Sequence, residues 1–384
     1  MTEFTEKNIR TIGIFGGNGS GKTTLTDAIM YVSGANSRQG SVDQGTSISD
    51  TDEEEKSRQS SIRATPLHCN FNGKDIFLVD TPGYADFWGE VILAMEVVDS
   101  VLIVVDGVSG ADVTTRRIWD LARSKNLPVG IFINKLDKEH SSFETVLSGV
   151  ESGLEESLIP LSLPDADHPD FSAVYEIHDT ENIPQIAGPL KDRADDYREK
   201  LVEAAAETDD SLIEKYLESG TLDPEEINAG LRKAFSRAAF TPLFAGSALN
   251  AVGVKLLLQT LCELFPSPED RGANTVGGET VAPEASAPLC ARVFKSVHDP
   301  FVGQLSYLRI WSGTLKSESE VFNSNSDVRE RIGRIYLIKG KEQIDIASAV
   351  PGCIVALAKL KETGIGDTLC APGKKYKFPE IDFP

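Results

Sequence analysis

Short apolar runs alternate with stretches of helical spacing up to about residue 265, where the period changes. Residues 11–15 form an apolar, β-branched run that predicts a buried strand. A glycine-rich stretch follows at once, and residues 22–31 then carry Leu25, Ala28 and Ile29 at helical spacing. Residues 64–71 and 74–79 read as two strands joined at Asn72-Gly73, a strong hairpin signal. Two further apolar runs, 100–105 and 128–133, flank a helical stretch at 114–125. Such alternation predicts a mainly parallel sheet with helices on both faces.

The pattern then loosens. Asp137 and Ser247 are 110 residues apart, long for one strand-to-helix step. An inserted subdomain is therefore expected at about 153–240, with a Pro- and Asp-rich loop at 159–168 and helices at 194–207, 211–218 and 224–236. A strand at 241–245 and a helix at 252–265 return to the sheet. The stretch 266–288 is rich in Pro, Gly, Glu and Ala, and a linker is placed at 271–287. Beyond it, the runs 289–297, 303–311, 321–323, 331–337 and 353–357 are short, apolar or alternating, with frequent glycine. They predict an all-β barrel over 288–372. Residues 373–384 read as a connector.

Residues 33–60 have another character, rich in Ser, Gly and Gln with an acidic run at 50–55. They predict a long mobile loop. Plain disorder is one reading and a switch that orders when the γ-phosphate is present is the other, and both can hold in turn.

Composition narrows the class. With 384 residues there is room for two or three domains with real cores. No apolar run is long enough to span a bilayer, and residues 1–10 lack a signal-peptide core, so no membrane partner and a cytoplasmic location are expected. The five cysteines (Cys69, Cys262, Cys290, Cys353, Cys370) show no CxxC pair and read as reduced thiols. A net charge of −21 argues against non-specific coating of nucleic acid, which phosphate repulsion would oppose. Any RNA partner would be met through restricted contacts, and no DNA partner is expected. A monomer is expected.

Five motifs carry candidate chemistry. Gly16-Gly17-Asn18-Gly19-Ser20-Gly21-Lys22-Thr23, followed by Thr24, fits GxxxxGK[ST] between a strand and a helix. Backbone N–H groups of such a loop curl around a β-phosphate, and the helix N-terminus adds partial positive charge. Lys22 is expected to bridge β- and γ-phosphates and Thr23 to bind Mg²⁺. A glycine-rich turn without ligand is the alternative reading of this motif taken alone. Asp80-Thr81-Pro82-Gly83 ends an apolar strand. Asp80 is expected to hold Mg²⁺ through water, and the Gly83 N–H to meet the γ-phosphate, in a backbone free to swing when that phosphate leaves. Ser61 is the candidate hydroxyl that reaches Mg²⁺ from the loop, with Ser60 an immediate rival.

Asn134-Lys135-Leu136-Asp137 follows a strand. The Asp137 carboxylate can accept from both the ring N–H and the amine of guanine, donors that adenine does not arrange this way. Asn134 can bond the purine edge and tether loops, and the Lys135 stem can lie on the base. Gly246-Ser247-Ala248, with Leu249 next, is expected to give a backbone N–H to the guanine oxygen. None of the five histidines (His68, His140, His168, His178, His298) falls next to the Asp80–Gly83 motif, and none is assigned a catalytic role. Together the motifs predict GTP or GDP with Mg²⁺ as cofactors. The expected fold is an α/β P-loop GTPase domain over 1–270 with a helical inserted subdomain, then the all-β barrel.

These residues resemble a translational GTPase of the elongation factor G group, across nearly the whole chain. Residues 201–231 resemble the stretch ahead of that family's Ser-Ala motif, and 299–313 (DPFVGQLSYLRIWSG) and 364–369 (GIGDTL) resemble its second domain. The resemblance implies GTP hydrolysis at the ribosomal factor site, with ribosomal RNA as activator. The sequence departs from the family pattern in several places. Tyr84 stands where the family has the histidine that positions the attacking water, so Lys22, Gly83 and Tyr84 are the catalytic candidates. Ser61 replaces the family's switch Thr, with Arg58 matching the family's Arg three places earlier. Gly17 and Gly19 replace the His and Asp of the family's phosphate loop. Such features resemble the divergent elongation factor G-like paralogue group, and slow hydrolysis in isolation is expected. A nucleotide-sensing ribosome-associated module, or a ribosome-protection or release factor, are the competing expectations. Residues 378–384 (FPEIDFP) resemble the start of a third domain, so a fragment lacking the C-terminal domains is expected.

Overall fold

The computed structural model describes residues 4–177, 188–271, 274–276, 279–299 and 302–383. His178, part of the inserted subdomain, parts of the linker, Pro300-Phe301 of the 299–313 motif and Pro384 lie outside the described residues.

β1 (Ile9–Phe15) is buried at every position and runs straight into the glycine-rich loop and α1 (Lys22–Val32). The expected loop at 33–60 contains a short helix, α2 (Glu53–Arg58). Asp52 and Glu55 form a capping box at its start, which turns part of the acidic run into helix-starting chemistry. β2 (Thr65–Phe71) and β3 (Lys74–Asp80) form the expected hairpin, with positive φ at both Asn72 (48°) and Gly73 (73°). α3 (Trp88–Met95), β4 (Ser100–Asp106), α4 (Val113–Ser124), β5 (Val129–Asn134) and α5 (Phe143–Leu154) follow.

The Pro- and Asp-rich stretch at 159–168 is not simply a loop. β6 (Leu158–Pro160) joins the main sheet, and β7 (Ser162–Pro164) pairs with β8 (Val174–Glu176). The insertion continues through α6 (Pro189–Ala206), α7 (Asp210–Ser219) and α8 (Pro224–Ser236). β9 (Thr241–Ala245) and α9 (Val254–Glu263) close the unit. The main sheet has the order β2-β3-β1-β4-β5-β9-β6, parallel except for the β2–β3 pair. The expected linker also holds structure, α10 (Pro268–Arg271) and the paired β10 (Asn274–Val276) and β11 (Glu279–Val281).

The second domain is antiparallel. Its strands are β12 (Cys290–Asp299), β13 (Gly303–Ser312), β14 (Leu315–Lys316), β15 (Glu320–Asn323), β16 (Val328–Arg331), β17 (Ile335–Lys339), β18 (Glu342–Ile346), β19 (Ser348–Ala349), β20 (Ile354–Ala358) and β21 (Thr368–Cys370). Eight of them form one sheet, β16-β15-β21-β12-β13-β20-β17-β18. The connector carries no strand or helix, yet Tyr376 and Phe378 are buried against this domain.

One hydrophobic core runs through both domains. Ion pairs and hydrogen bonds add direction to it. The Arg309 guanidinium donates to both Asp99 carboxylate oxygens at 2.7 Å and to the Val97 carbonyl at 2.8 Å. Arg292 pairs with Glu96 at 2.6 Å, and the Thr11 hydroxyl in β1 donates to the Gly352 carbonyl at 2.8 Å. All five cysteines are buried free thiols. Among the described residues no helix is long and apolar enough to cross a membrane.

Candidate functional site

The motifs meet at one edge of the sheet because each follows the carboxyl end of a strand. The phosphate loop leaves β1, Asp80 ends β3, Asn134 ends β5, and Gly246 follows β9. Open α/β sheets bind ligands along this edge, where the strand order reverses. A cavity of about 310 Å³ opens there. Asn18, Gly19, Gly21, Lys22, Thr23, Thr24, Gly83, Asn134, Lys135, Asp137 and Leu249 line it. Gly16, Ser20, Ser61, Asp80, Ser247 and Ala248 are not among the residues that line it.

Two glycines are required by close approach. Gly21, at φ 91°, has Asn134 Nδ2 2.3 Å from where a Cβ would stand. At Gly83 a Cβ would lie 2.5 Å from Lys22 Nζ and 2.8 Å from the Asn18 backbone nitrogen. The Lys22 ammonium donates to the Gly17 carbonyl at 2.8 Å. Burial pulls it down to about 8, against the opposing charges of Asp80 and Asp112.

Thr23, Ser61 and Asp80 converge. The Thr23 hydroxyl donates to Asp80 Oδ2 at 2.9 Å, and the Ser61 hydroxyl donates to Asp50 Oδ1 at 2.7 Å. The two hydroxyl oxygens also stand 3.0 Å apart, within hydrogen-bond distance, and either can donate to the other. Asp80 Oδ1 is buried without a hydrogen-bond partner. Burial, and after it the Asp50 charge, push the Asp80 carboxyl up to about 7. Converging hydroxyl and carboxylate oxygens, one of them buried without a partner, fit a hard divalent cation. Among the described residues no cluster of three His, Cys, Asp or Glu could hold a metal, so a cation here would meet hydroxyl and carboxylate oxygens. Ser60 lines the cavity, but Ser61 is the hydroxyl that reaches Thr23.

At the other end, Asn134 is a tether. Its Nδ2 donates to the Ser20 carbonyl at 2.9 Å, and its Oδ1 accepts from the Lys135 and Ala248 N–H groups at 2.8 Å each. Lys135 reaches Asp106 at 2.7 Å while its stem lines the cavity. Asp137 Oδ1 is buried without a partner, which fits an acceptor awaiting donors on a base. The Ser247 N–H bonds the Val252 carbonyl, and the Ala248 N–H is taken by Asn134. The Leu249 N–H has no protein acceptor among the described residues.

Tyr84 lies outside the cavity. It is 46% exposed at the start of the turn Ala85–Phe87. Sequence reasoning missed Asp50, whose acidic run looked like a solvated stretch, and Gln39, whose Nε2 donates to the Ala248 carbonyl at 2.8 Å. It also missed Asp27, which fixes the loop to α1 by accepting from the Ile48 N–H at 2.9 Å. Burial pushes Asp27 up to about 6, from an ordinary value of 3.8. Between those values the folded protein keeps a proton that the unfolded chain has lost. Stability is therefore present in full below the lower value and falls as pH rises through the upper one. Asp27→Asn should remove this slope, so melting temperatures should fall less between pH 4 and pH 7 than in the parent. Parallel curves would show that Asp27 does not titrate there.

The family model described as the elongation factor Tu GTP binding domain matches residues 7–267. The model described as elongation factor G domain 2 matches residues 288–372. An elongation factor G from Neorickettsia sennetsu is 36% identical over 396 aligned positions, covering 98% of this chain and 57% of that protein. A crystal structure of a protein from Thermus thermophilus superposes with a TM-score of 0.86 at 30% identity, covering 98% of this chain and 56% of the other. The chain thus spans little more than half the length of these relatives. It belongs to the translational GTPases of elongation factor G type, a GTP-binding domain followed by elongation factor G domain 2.

Proposed function

We propose that this chain binds GTP and GDP with Mg²⁺ and hydrolyses GTP slowly until the ribosome activates it. The convergence of the Thr23 and Ser61 hydroxyls beside the unpartnered Asp80 oxygen carries this reading. Thr23, Ser61 and Asp80 would hold Mg²⁺, with Asp50 alongside. Bound there, the ion would offset charge on the β- and γ-phosphates. Lys22 bridges the same phosphates, the Gly83 N–H meets the γ-phosphate, and Asp137 selects guanine. Residues 1–270 act as the GTP-binding domain with its insertion at about 153–240. Residues 271–287 link it to the β-barrel domain at 288–372, and 373–384 form a connector. The protein works as a cytoplasmic monomer whose partner is the ribosome.

The test is binding of GDP and GTP with Mg²⁺ and with EDTA, then phosphate release with and without 70S ribosomes. Mg²⁺-dependent binding with ribosome-stimulated release is expected. No guanine-nucleotide binding would sink the reading.

The exposure of Tyr84 favours a second reading, a GTP/GDP-sensing module that scarcely hydrolyses. A neutral phenol with a pKa of about 10 can donate a hydrogen bond but cannot serve as imidazole does near neutral pH. Tyr84→His is expected to raise ribosome-stimulated turnover by about 10-fold or more, within the usual range for a positioned proton-transfer group. An unchanged rate would mean that position 84 does not face the water.

A further inference from the structure

We propose that Lys295, on the second domain, is a positioning residue that holds the Ser61 hydroxyl at the metal when GTP is bound. This rests on the reading of Ser61 as a metal ligand. The support lies in how residues 61–64 are held. The Ile62 and Arg63 N–H groups donate to Glu55 Oε1 at 3.0 and 3.2 Å. The Ala64 N–H donates to Glu90 Oε2 at 2.8 Å. The Ala64 carbonyl accepts from Lys295 Nζ. Three of these four bonds come from the GTPase domain itself, through α2 and through α3 just beyond Gly83. The fourth comes from β12.

Charge explains why the fourth is needed. Glu55 and Glu90 hold the backbone with two carboxylates, and the Lys295 ammonium lies within the field of both, with the Arg63 charge opposing it. Loop, α3 and second domain therefore meet at one charge. β12 is fixed for the task, because Arg292, three residues earlier, pairs with Glu96 just beyond the end of α3 at 2.6 Å.

The second domain also touches the other end of the loop. Lys339 Nζ donates to the Ala35 carbonyl, and a Cβ at Gly340 would stand 2.7 Å from Ile48 Cγ1. A cavity of about 640 Å³ beside Lys295, lined in part by Thr51, Glu53 and Arg63, leaves the loop room to move when Ser61 withdraws. Lys295 thus favours the state with Ser61 at the metal. By linkage, a ligand that draws Ser61 in also tightens the docking of the second domain. A lysine that only packed would stabilise both nucleotide states equally.

The experiment uses the full chain with Mg²⁺. Affinities for GDP and for a non-hydrolysable GTP analogue are measured for the parent, Lys295→Met, Lys295→Arg, Ser61→Ala and the Lys295→Met/Ser61→Ala double variant. Lys295→Met is expected to weaken the GTP analogue about 10-fold more than it weakens GDP, a usual size for coupling between sites. Lys295→Arg should recover part of the loss. In the Ser61→Ala background the substitution should add nothing. Equal losses for both nucleotides, no loss at all, or an undiminished effect without Ser61 would each overturn the proposal. A Ser61→Ala variant with the parent's preference would bring down the metal reading itself, and the proposal with it.

Discussion

Asp137→Ala is expected to weaken GDP and GTP binding by about 100- to 10,000-fold. This takes two hydrogen bonds to a charged acceptor at roughly 1.5–3 kcal/mol each, and about 1.4 kcal/mol per tenfold in affinity. The carboxylate is placed for this, since Oδ1 is buried with no partner inside the protein. Asp137→Asn makes a sharper case. An amide presents a donor where the carboxylate only accepts, and xanthine carries a carbonyl where guanine carries its amine. Preference should move from GDP to XDP. Fluorescence titration of both nucleotides against both variants decides the matter. Undiminished GDP affinity in Asp137→Ala would remove Asp137 from base recognition.

Arg309→Met should cost about 3–5 kcal/mol, because it strands the Asp99 charge in the core between the domains. The pair is nearly closed to water, with side chains 1% and 2% exposed. Removing both charges together, as Arg309→Met with Asp99→Leu, should return most of the loss, since apolar groups of similar size often replace a buried pair without penalty. Urea unfolding of the two variants measures this. A single variant as stable as the parent would show that water reaches Asp99.

Local chemistry made much of this protein legible from sequence. The phosphate loop declared itself because glycine spacing, Lys22 and Thr23 must lie together between β1 and α1. The Asn72-Gly73 turn did so because two positive φ values in a row call for such residues. What stayed hidden depends on partners far along the chain. Asp50 looked like one more solvated acid until the fold brought it to Ser61. Gln39 gained meaning only when the loop crossed to Ala248. Nothing near Lys295 in sequence names Ala64, and nothing near Arg309 names Asp99. The helix α2 was obscured for another reason. Its charged, Ser-containing sequence has no apolar face, so caps rather than periodicity define it.

The hydrogen bond from Thr11 to Gly352 has a consequence in time. The two residues are 341 positions apart. At about 5–20 residues per second, synthesis separates them by roughly 20 to 70 s. The main sheet can pair as soon as β9 emerges, while Asp99 still waits for Arg309. From the end of β9 at Ala245 to Gly352 is 107 residues, roughly 5 to 20 s of synthesis, during which the nascent chain carries a complete main sheet and an uncovered flank. The order of synthesis thus lets the nucleotide meet this protein before its second domain does.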